Sequence, residues 1–262
     1  MVVLTSIDAR RSQVNSLLDQ YRNQWEWRDW RSLFNLLPDL SGSTIYDLGC
    51  AHGDHSSELA EMGARVIGID GNESLLNFAK QRDIPNSKFM LRDLSKIGES
   101  EEKGDGIWTS FLPAYFTNLD STIKQWKKLL KEDGWIAITE MSGLFDHEPL
   151  SERNRCLIDK FYVQSFRNGN YDFESGSKLK SCLEKNGFKI LKSAFLEDQE
   201  LSFKGGATED VVNAWESRFE RMGGFRQFLG DEFESFKKNF ILSIQSENHV
   251  SNCKVYFYLA TL

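Results

Sequence analysis

The chain has 262 residues, 40% apolar and 27% charged, with four prolines, which excludes a disordered or fibrous protein and leaves room for a sizeable core. A formal net charge of −7 argues against nucleic acid as a partner, because phosphate binding shows as a basic face. No run approaches the roughly 18 apolar residues that span a bilayer, and MVVLTSIDARR is too short an apolar run for a signal peptide, so a cytoplasmic setting without membrane contact is expected.

The spacing of Leu17, Leu18, Tyr21, Trp25, Leu33, Phe34 and Leu37 predicts a helix from about Asp8 to Leu37, stopped by Pro38 and by Ser41, Gly42 and Ser43. Strands and helices then alternate: Thr44–Leu48 strand, Asp54–Met62 helix, Arg65–Ile69 strand, Asn72–Arg82 helix, Ser87–Leu91 and Gly106–Ser110 strands, Leu119–Leu130 helix, Trp135–Glu140 strand. Gly176–Asn186 (helix), Phe188–Phe195 and Val255–Leu262 (strands) complete the series. Such alternation predicts an α/β, doubly wound, mostly parallel sheet covered on both faces. Lys131 to Gly134 reads as a turn at a helix end, with Gly134 in the left-handed position of a C-cap.

Two stretches depart from the alternation, Met141–Ser175 and a helical insert from about Thr208 to Ser246. With the amino-terminal helix they are expected to form a helical cap on a single domain, over about 1–40, 141–175 and 205–250. Cys50, Cys156, Cys182 and Cys253 show no CxxC spacing and are expected to be reduced, mostly buried thiols.

The strand Thr44–Leu48 runs into small residues, Gly49, Cys50, Ala51, His52 and Gly53, and then at once into a helix. Small residues there let backbone N–H groups approach a ligand closely. The spacing Gly49-x-Ala51-x-Gly53 is not the Gly-x-Gly-x-x-Gly of a dinucleotide site, and no Gly-Lys-Ser/Thr sequence follows to cradle a triphosphate. Asp47 would repel phosphate but suits a ligand carrying an ammonium and a sulfonium, which selects S-adenosylmethionine (SAM) over NAD or ATP. Asp70 ends the next strand, where a carboxylate can accept from both ribose hydroxyls. Asp93 and Leu94 close the third strand, where a carboxylate and a neighbouring backbone N–H can meet adenine.

Asp47-x-Gly49-x-Ala51-x-Gly53, Asp70, Asp93-Leu94 and the stretch Leu130–Trp135 resemble the motifs of the class I SAM-dependent methyltransferase family over about Thr44 to Glu140. The resemblance implies a seven-stranded Rossmann-like sheet with an antiparallel last strand and SAM across the carboxyl ends of the first, second and fourth strands. It also implies Gly49, Cys50, Ala51, Gly53, Asp70 with Gly71, Asp93 and Leu94 around the nucleoside, and Ser110 and Phe111 near the methionine end. S-adenosyl-L-homocysteine (SAH) would be the product. Ala51 stands where the family commonly has glycine.

Methyl transfer from a sulfonium is an in-line displacement that needs chiefly alignment of an N, O or S acceptor atom. Where a proton must leave, His147 and Tyr115, in the loops after the fifth and fourth strands, are the candidate bases. Tyr21, Trp25 and Tyr171 are candidates to enclose a small-molecule acceptor, and Asp146, Glu148 and Asp172 permit a cationic or amine one. Cys50, His52 and His55 are close together but lie in the cofactor loop without a second ligand cluster, so no metal is expected. The alternatives are a non-catalytic SAM-binding partner or sensor, suggested by Ala51, and more distantly a nicotinamide oxidoreductase.

Overall fold

A computed structural model describes residue 18, residues 20–97 and residues 101–262. The central parallel strands of the main sheet follow from mainly apolar runs, because a parallel strand there is covered on both faces. β1 (Thr44–Leu48) is buried along its whole length and pairs in parallel with β2 (Arg65–Asp70) and β4 (Gly104–Ser110). With β3 (Ser87–Leu91), β5 (Leu130–Ser142), β7 (Lys189–Phe195) and β9 (Lys254–Thr261) they form a seven-stranded sheet in the order β3-β2-β1-β4-β5-β9-β7. β9 is antiparallel to both β5 and β7. The strand order reverses between β1 and β4, so their carboxyl ends diverge into a crevice, the place where open α/β sheets bind ligands.

Alternate residues of each strand feed two cores. Ile45, Trp108, Trp135 and Ala137 enter one, and Tyr46, Ile107, Ile136 and Ile138 the other. The second core is closed by α5 (Leu119–Trp126) and α7 (Ser175–Lys185), through Ile123, Trp126, Leu179 and Leu183. The first extends into the cap.

Helical residues 20–27 (α1) and α2 (Trp30–Phe34) stand where one long helix was expected. The helix breaks because Asp29 caps α2 by accepting from the Ser32 N–H, while Arg28 is tied to Asp198 through both a backbone bridge and its side chain. Residues 8–17 of the expected helix lie outside the described residues. α3 (Asp54–Glu61) and α4 (Glu73–Gln81) fall where expected, and Asn72 caps α4 by accepting from the N–H groups of Ser74 and Leu75. The insert after β5 holds the short strand β6 (His147–Glu148) and α6 (Glu152–Arg167); the later one holds α8 (Glu209–Arg221), α9 (Gly223–Leu229) and α10 (Phe233–Ile244). β6 pairs antiparallel with β8 (Val250–Ser251). Phe145, Phe219, Phe225, Phe236 and Phe240 join the cap helices to the sheet in one aromatic cluster, with Phe145 and Phe225 at 4.9 Å. Among the described residues no helix is long and apolar enough to cross a membrane.

Gly134 corrects another local expectation. Gly134 is not left-handed, and residues 131–134 bulge out of the ladder inside β5, between the Leu130–Gly104 pair and the Trp135–Gly106 pair. Tight packing makes Gly134 small, since an added Cβ would lie 2.8 Å from Leu130 Cβ. Gly176 is held more firmly still: an added Cβ would sit 2.5 Å from the Glu140 carbonyl oxygen and 2.7 Å from Met141 C, backbone atoms that cannot rotate aside. Gly176→Ala therefore destabilises the fold by about 1–3 kcal/mol through overpacking, although alanine ordinarily favours a helix by about 1 kcal/mol. Urea denaturation checks this, and an unchanged or higher midpoint would contradict it.

Candidate functional site

The crevice at the ends of β1 and β4 opens into a cavity of about 1770 Å³ whose wall runs from Asp70, Asp93 and Leu94 to cap residues such as Tyr171 and Phe228. The loop after β1 is shaped by left-handed residues, Gly49 at φ 76°, Ala51 at φ 47° and Gly53 at φ 90°. The first two line the cavity with Cys50. The methyl group of Ala51 thus occupies a conformation that costs an L-residue about 1–2 kcal/mol, and the Ala51 N–H donates to Asp70 Oδ2 at 2.8 Å. Asp70 Oδ1 accepts from Asn72 N–H at 2.7 Å. Each oxygen retains acceptor capacity for a ligand hydroxyl, and Asp70 and Gly71 are both in the wall.

Asp47 and Gly53 stand behind the loop. Asp47 is 1% exposed and accepts from Ser56 Oγ at 2.5 Å, joining β1 to α3. Burial, opposed by that hydrogen bond and assisted by the charges of Asp70 and Asp54, pushes its carboxyl up to about 7. This corrects the expectation that Asp47 faces the ligand as a full negative charge: it is a buried strut behind the cavity wall, and burial disfavours its charge. Gly53 packs toward Ile84 and Ala79. Asp93 lines the cavity but is committed to its own turn, Oδ1 accepting from the Ser95 N–H and hydroxyl and Oδ2 pairing with Lys96 at 2.7 Å.

At the β4 end, Ser110 and Phe111 line the cavity, and Ser110 Oγ is buried without a hydrogen-bond partner. Phe111 lies 4.2 Å beneath the Arg28 guanidinium. Tyr115 is 61% exposed and in the wall, so its ring projects into the cavity, edge-on to Tyr171 at 5.0 Å. Glu140 fixes that turn: fully buried, it accepts from the N–H groups of Ala114 and Met141 at 3.0 and 2.9 Å. Burial, partly offset by these bonds, pushes Glu140 up to about 7. Tyr21 stacks on His52 at 5.3 Å, and Trp25 packs on Trp30 and His55. Tyr21, Trp25 and Tyr171, the expected enclosing residues, all line the cavity.

His147 does not. It is 1% exposed, with its ring packed on Trp215 and Phe240 and its Nδ1 2.8 Å from His249 Nε2. Burial pushes it down to about 3, so it is a neutral element of the cap core and not the base at the mouth. The pairing of β6 with β8 draws it inward. Asp146, Glu148 and Asp172 also lie off the cavity wall, and Asp172 pairs with Lys178 at 2.6 Å. The charged groups that the cap does contribute were not foreseen: Arg28, Arg218 and Arg221. The signal for the last two was present in their three-residue spacing, which puts both on one face of α8.

A family model described as a methyltransferase domain matches residues 39–190. The chain belongs to this methyltransferase family. It is 24% identical over 179 residues to phosphoethanolamine N-methyltransferase 3 of Arabidopsis thaliana, covering 64% of this chain but 36% of that one. It is 26% identical over 161 residues to the mitochondrial ubiquinone biosynthesis O-methyltransferase of Bos taurus, covering 58% of this chain and 42% of the relative. The methyltransferase chain thus spans well under half the length of these curated relatives. A solved S-adenosylmethionine-dependent methyltransferase from Mesorhizobium loti superposes with a TM-score of 0.55 at 18% identity, covering 89% of this chain and 97% of its own. The fold, a seven-stranded mixed sheet with helices on both sides, is the Rossmann-like one of SAM-dependent methyltransferases, and SAM is the family's cofactor.

Proposed function

We propose that this methyltransferase moves the methyl group of SAM to a nucleophilic N, O or S atom of a small molecule held in the same cavity, releasing SAH. The continuous cavity carries this reading. Its volume of about 1770 Å³ exceeds the roughly 300–1,000 Å³ of a typical single-ligand pocket, which leaves room for an acceptor beside the cofactor. The spare acceptor capacity of Asp70 suits ribose hydroxyls, and the orphaned Ser110 Oγ suits a polar partner at the methionine end. Gly49, Cys50 and Ala51 bring backbone to the ligand, Gly71 flanks the ribose, and Asp93 and Leu94 flank adenine. Asp47 and Gly53 serve from behind, by holding the loop.

When bound, SAM supplies a methyl group on a sulfonium, already activated for displacement. The chain's task is alignment, worth about 7–11 kcal/mol in well-oriented systems. Tyr21, Trp25 and Tyr171 wall the acceptor, and Tyr115 reaches it. A tyrosine hydroxyl ordinarily titrates at about 10, so Tyr115 is a hydroxyl donor at neutral pH that positions the acceptor.

A metabolite extract incubated with methyl-labelled SAM tests the proposal. Label in a small molecule is expected, and no label in any extract component would favour a SAM-binding partner without activity. With that acceptor in hand, Tyr115→Phe is expected to lower kcat/KM about 5–10-fold, the scale of one hydrogen bond. Unchanged kinetics would remove Tyr115 from the reaction.

A further inference from the structure

The cavity is electrically divided. The acids in its wall, Asp54, Asp70 and Asp93, all belong to the cofactor end, where Arg92 also stands, whereas the cap side contributes Arg28, Arg218 and Arg221 and no acid. The acids that pair with Arg28 and Arg218 stand behind the wall: Asp198 is 3% and Glu200 0% exposed. Each of their oxygens accepts at least one hydrogen bond. Asp198 Oδ1 accepts from the N–H groups of Glu200 and Leu201, and Oδ2 from Arg28 Nε at 2.6 Å. Glu200 Oε2 accepts from Gln24 Nε2 at 2.8 Å and Oε1 from Arg218 Nη2.

This buried network sets the guanidiniums rigidly against the cavity without placing a carboxylate beside them in its wall. Arg218 is the more available. Its Nη2 donates to Glu200, its Nε has no partner, and its side chain keeps 16% exposure. A guanidinium has five N–H donors in a planar fork suited to carboxylate and phosphate, so most of its capacity is unspent. Arg218 lines the same cavity as Tyr115 and Tyr171, at the acceptor end. Phe161, Phe225 and Phe228 supply apolar wall nearby.

We propose that the methyl acceptor carries an oxyanionic group, a carboxylate or phosphate, that docks on Arg218 in the cap wall, with its apolar part against the cap aromatics. This rests on the methyltransferase reading and names the class of acceptor. It also reverses the cationic acceptor that the sequence permitted, because Asp146, Glu148 and Asp172 do not reach the cavity.

Calorimetric titration of the full chain, with and without SAH, tests it with benzoate and phenyl phosphate as anionic probes and benzamide as the neutral one. The anions are expected to bind about tenfold tighter than benzamide, to bind alongside SAH, and to lose that preference in Arg218→Gln while Arg218→Lys keeps part of it. Equal binding of the three probes to the wild type would overturn the proposal, without need of any variant. So would displacement of SAH by the anions, or a fall of about tenfold in SAH affinity in Arg218→Gln, which would assign the guanidinium to the cofactor's own carboxylate. Absence of SAH binding would count against the methyltransferase reading alone, because the probe preference is read on the ligand-free chain as well.

Discussion

Asp70→Ala is expected to weaken SAM binding about 5- to 150-fold, the equivalent of about 1–3 kcal/mol for hydrogen bonds to a charged group. Two effects add. The variant loses the carboxylate that faces the ribose position, and it also frees the Ala51 and Asn72 N–H groups that Asp70 now holds at 2.8 and 2.7 Å. Ala51 is left-handed at φ 47°, so the loop loses the bond that holds it in a costly conformation. Asp70→Asn, which keeps one oxygen acceptor, should fall between alanine and wild type. Calorimetry on folded variants checks the order; equal affinity in all three would remove Asp70 from the cofactor site.

Asp47→Asn is expected to change how stability depends on pH. Burial pushes the Asp47 carboxyl to about 7, far above the ordinary carboxylate value of about 4, so near pH 5 or 6 the folded chain holds a proton that the unfolded chain has released. The stability Asp47 contributes is fully present below about pH 4 and is lost as pH rises through about 7. Glu140, also pushed to about 7 by burial, acts in the same sense. His55 and His147, pushed down to about 3 by burial, act oppositely: their contribution is present above about pH 6.5 and is lost as pH falls through about 3. Comparing the variant with wild type isolates Asp47. The variant should gain stability relative to wild type as pH rises from about 4 to 7, with a slope approaching about 1.4 kcal/mol per unit for one proton. Urea denaturation across that range measures it, and parallel profiles would contradict a protonated Asp47.

The half of the fold from β1 to β4 was legible because its determinants are local. Thr44–Leu48 and Ser87–Leu91 were read to the residue, since Gly49 stops the first and Asn86 stands just before the second. Asp70 could be placed because a strand end fixes where its last side chain stands. What escaped depends on distant partners. Arg28 breaks the first helix by bonding Asp198, 170 residues away, and no periodicity near Arg28 carries that information. His147 looked like a loop histidine, but residues 250–251 pair with its strand and carry it into the core. Gly134 fitted a helix cap by its neighbours, yet it is not left-handed, and the pairing of Leu130 with distant Gly104 starts β5 ahead of it. The arginine wall of the cavity needed α1, α8 and the segment around Asp198 and Glu200 brought together, and only the folded chain does that.

Titration of the wild-type chain with SAH tests the central claim most directly, because it asks about the cavity without requiring an acceptor. One molecule of SAH per chain, bound with a sub-millimolar dissociation constant that weakens in Asp70→Ala, is the expected result. No binding of SAH or SAM at millimolar concentration, with the chain folded, would contradict it.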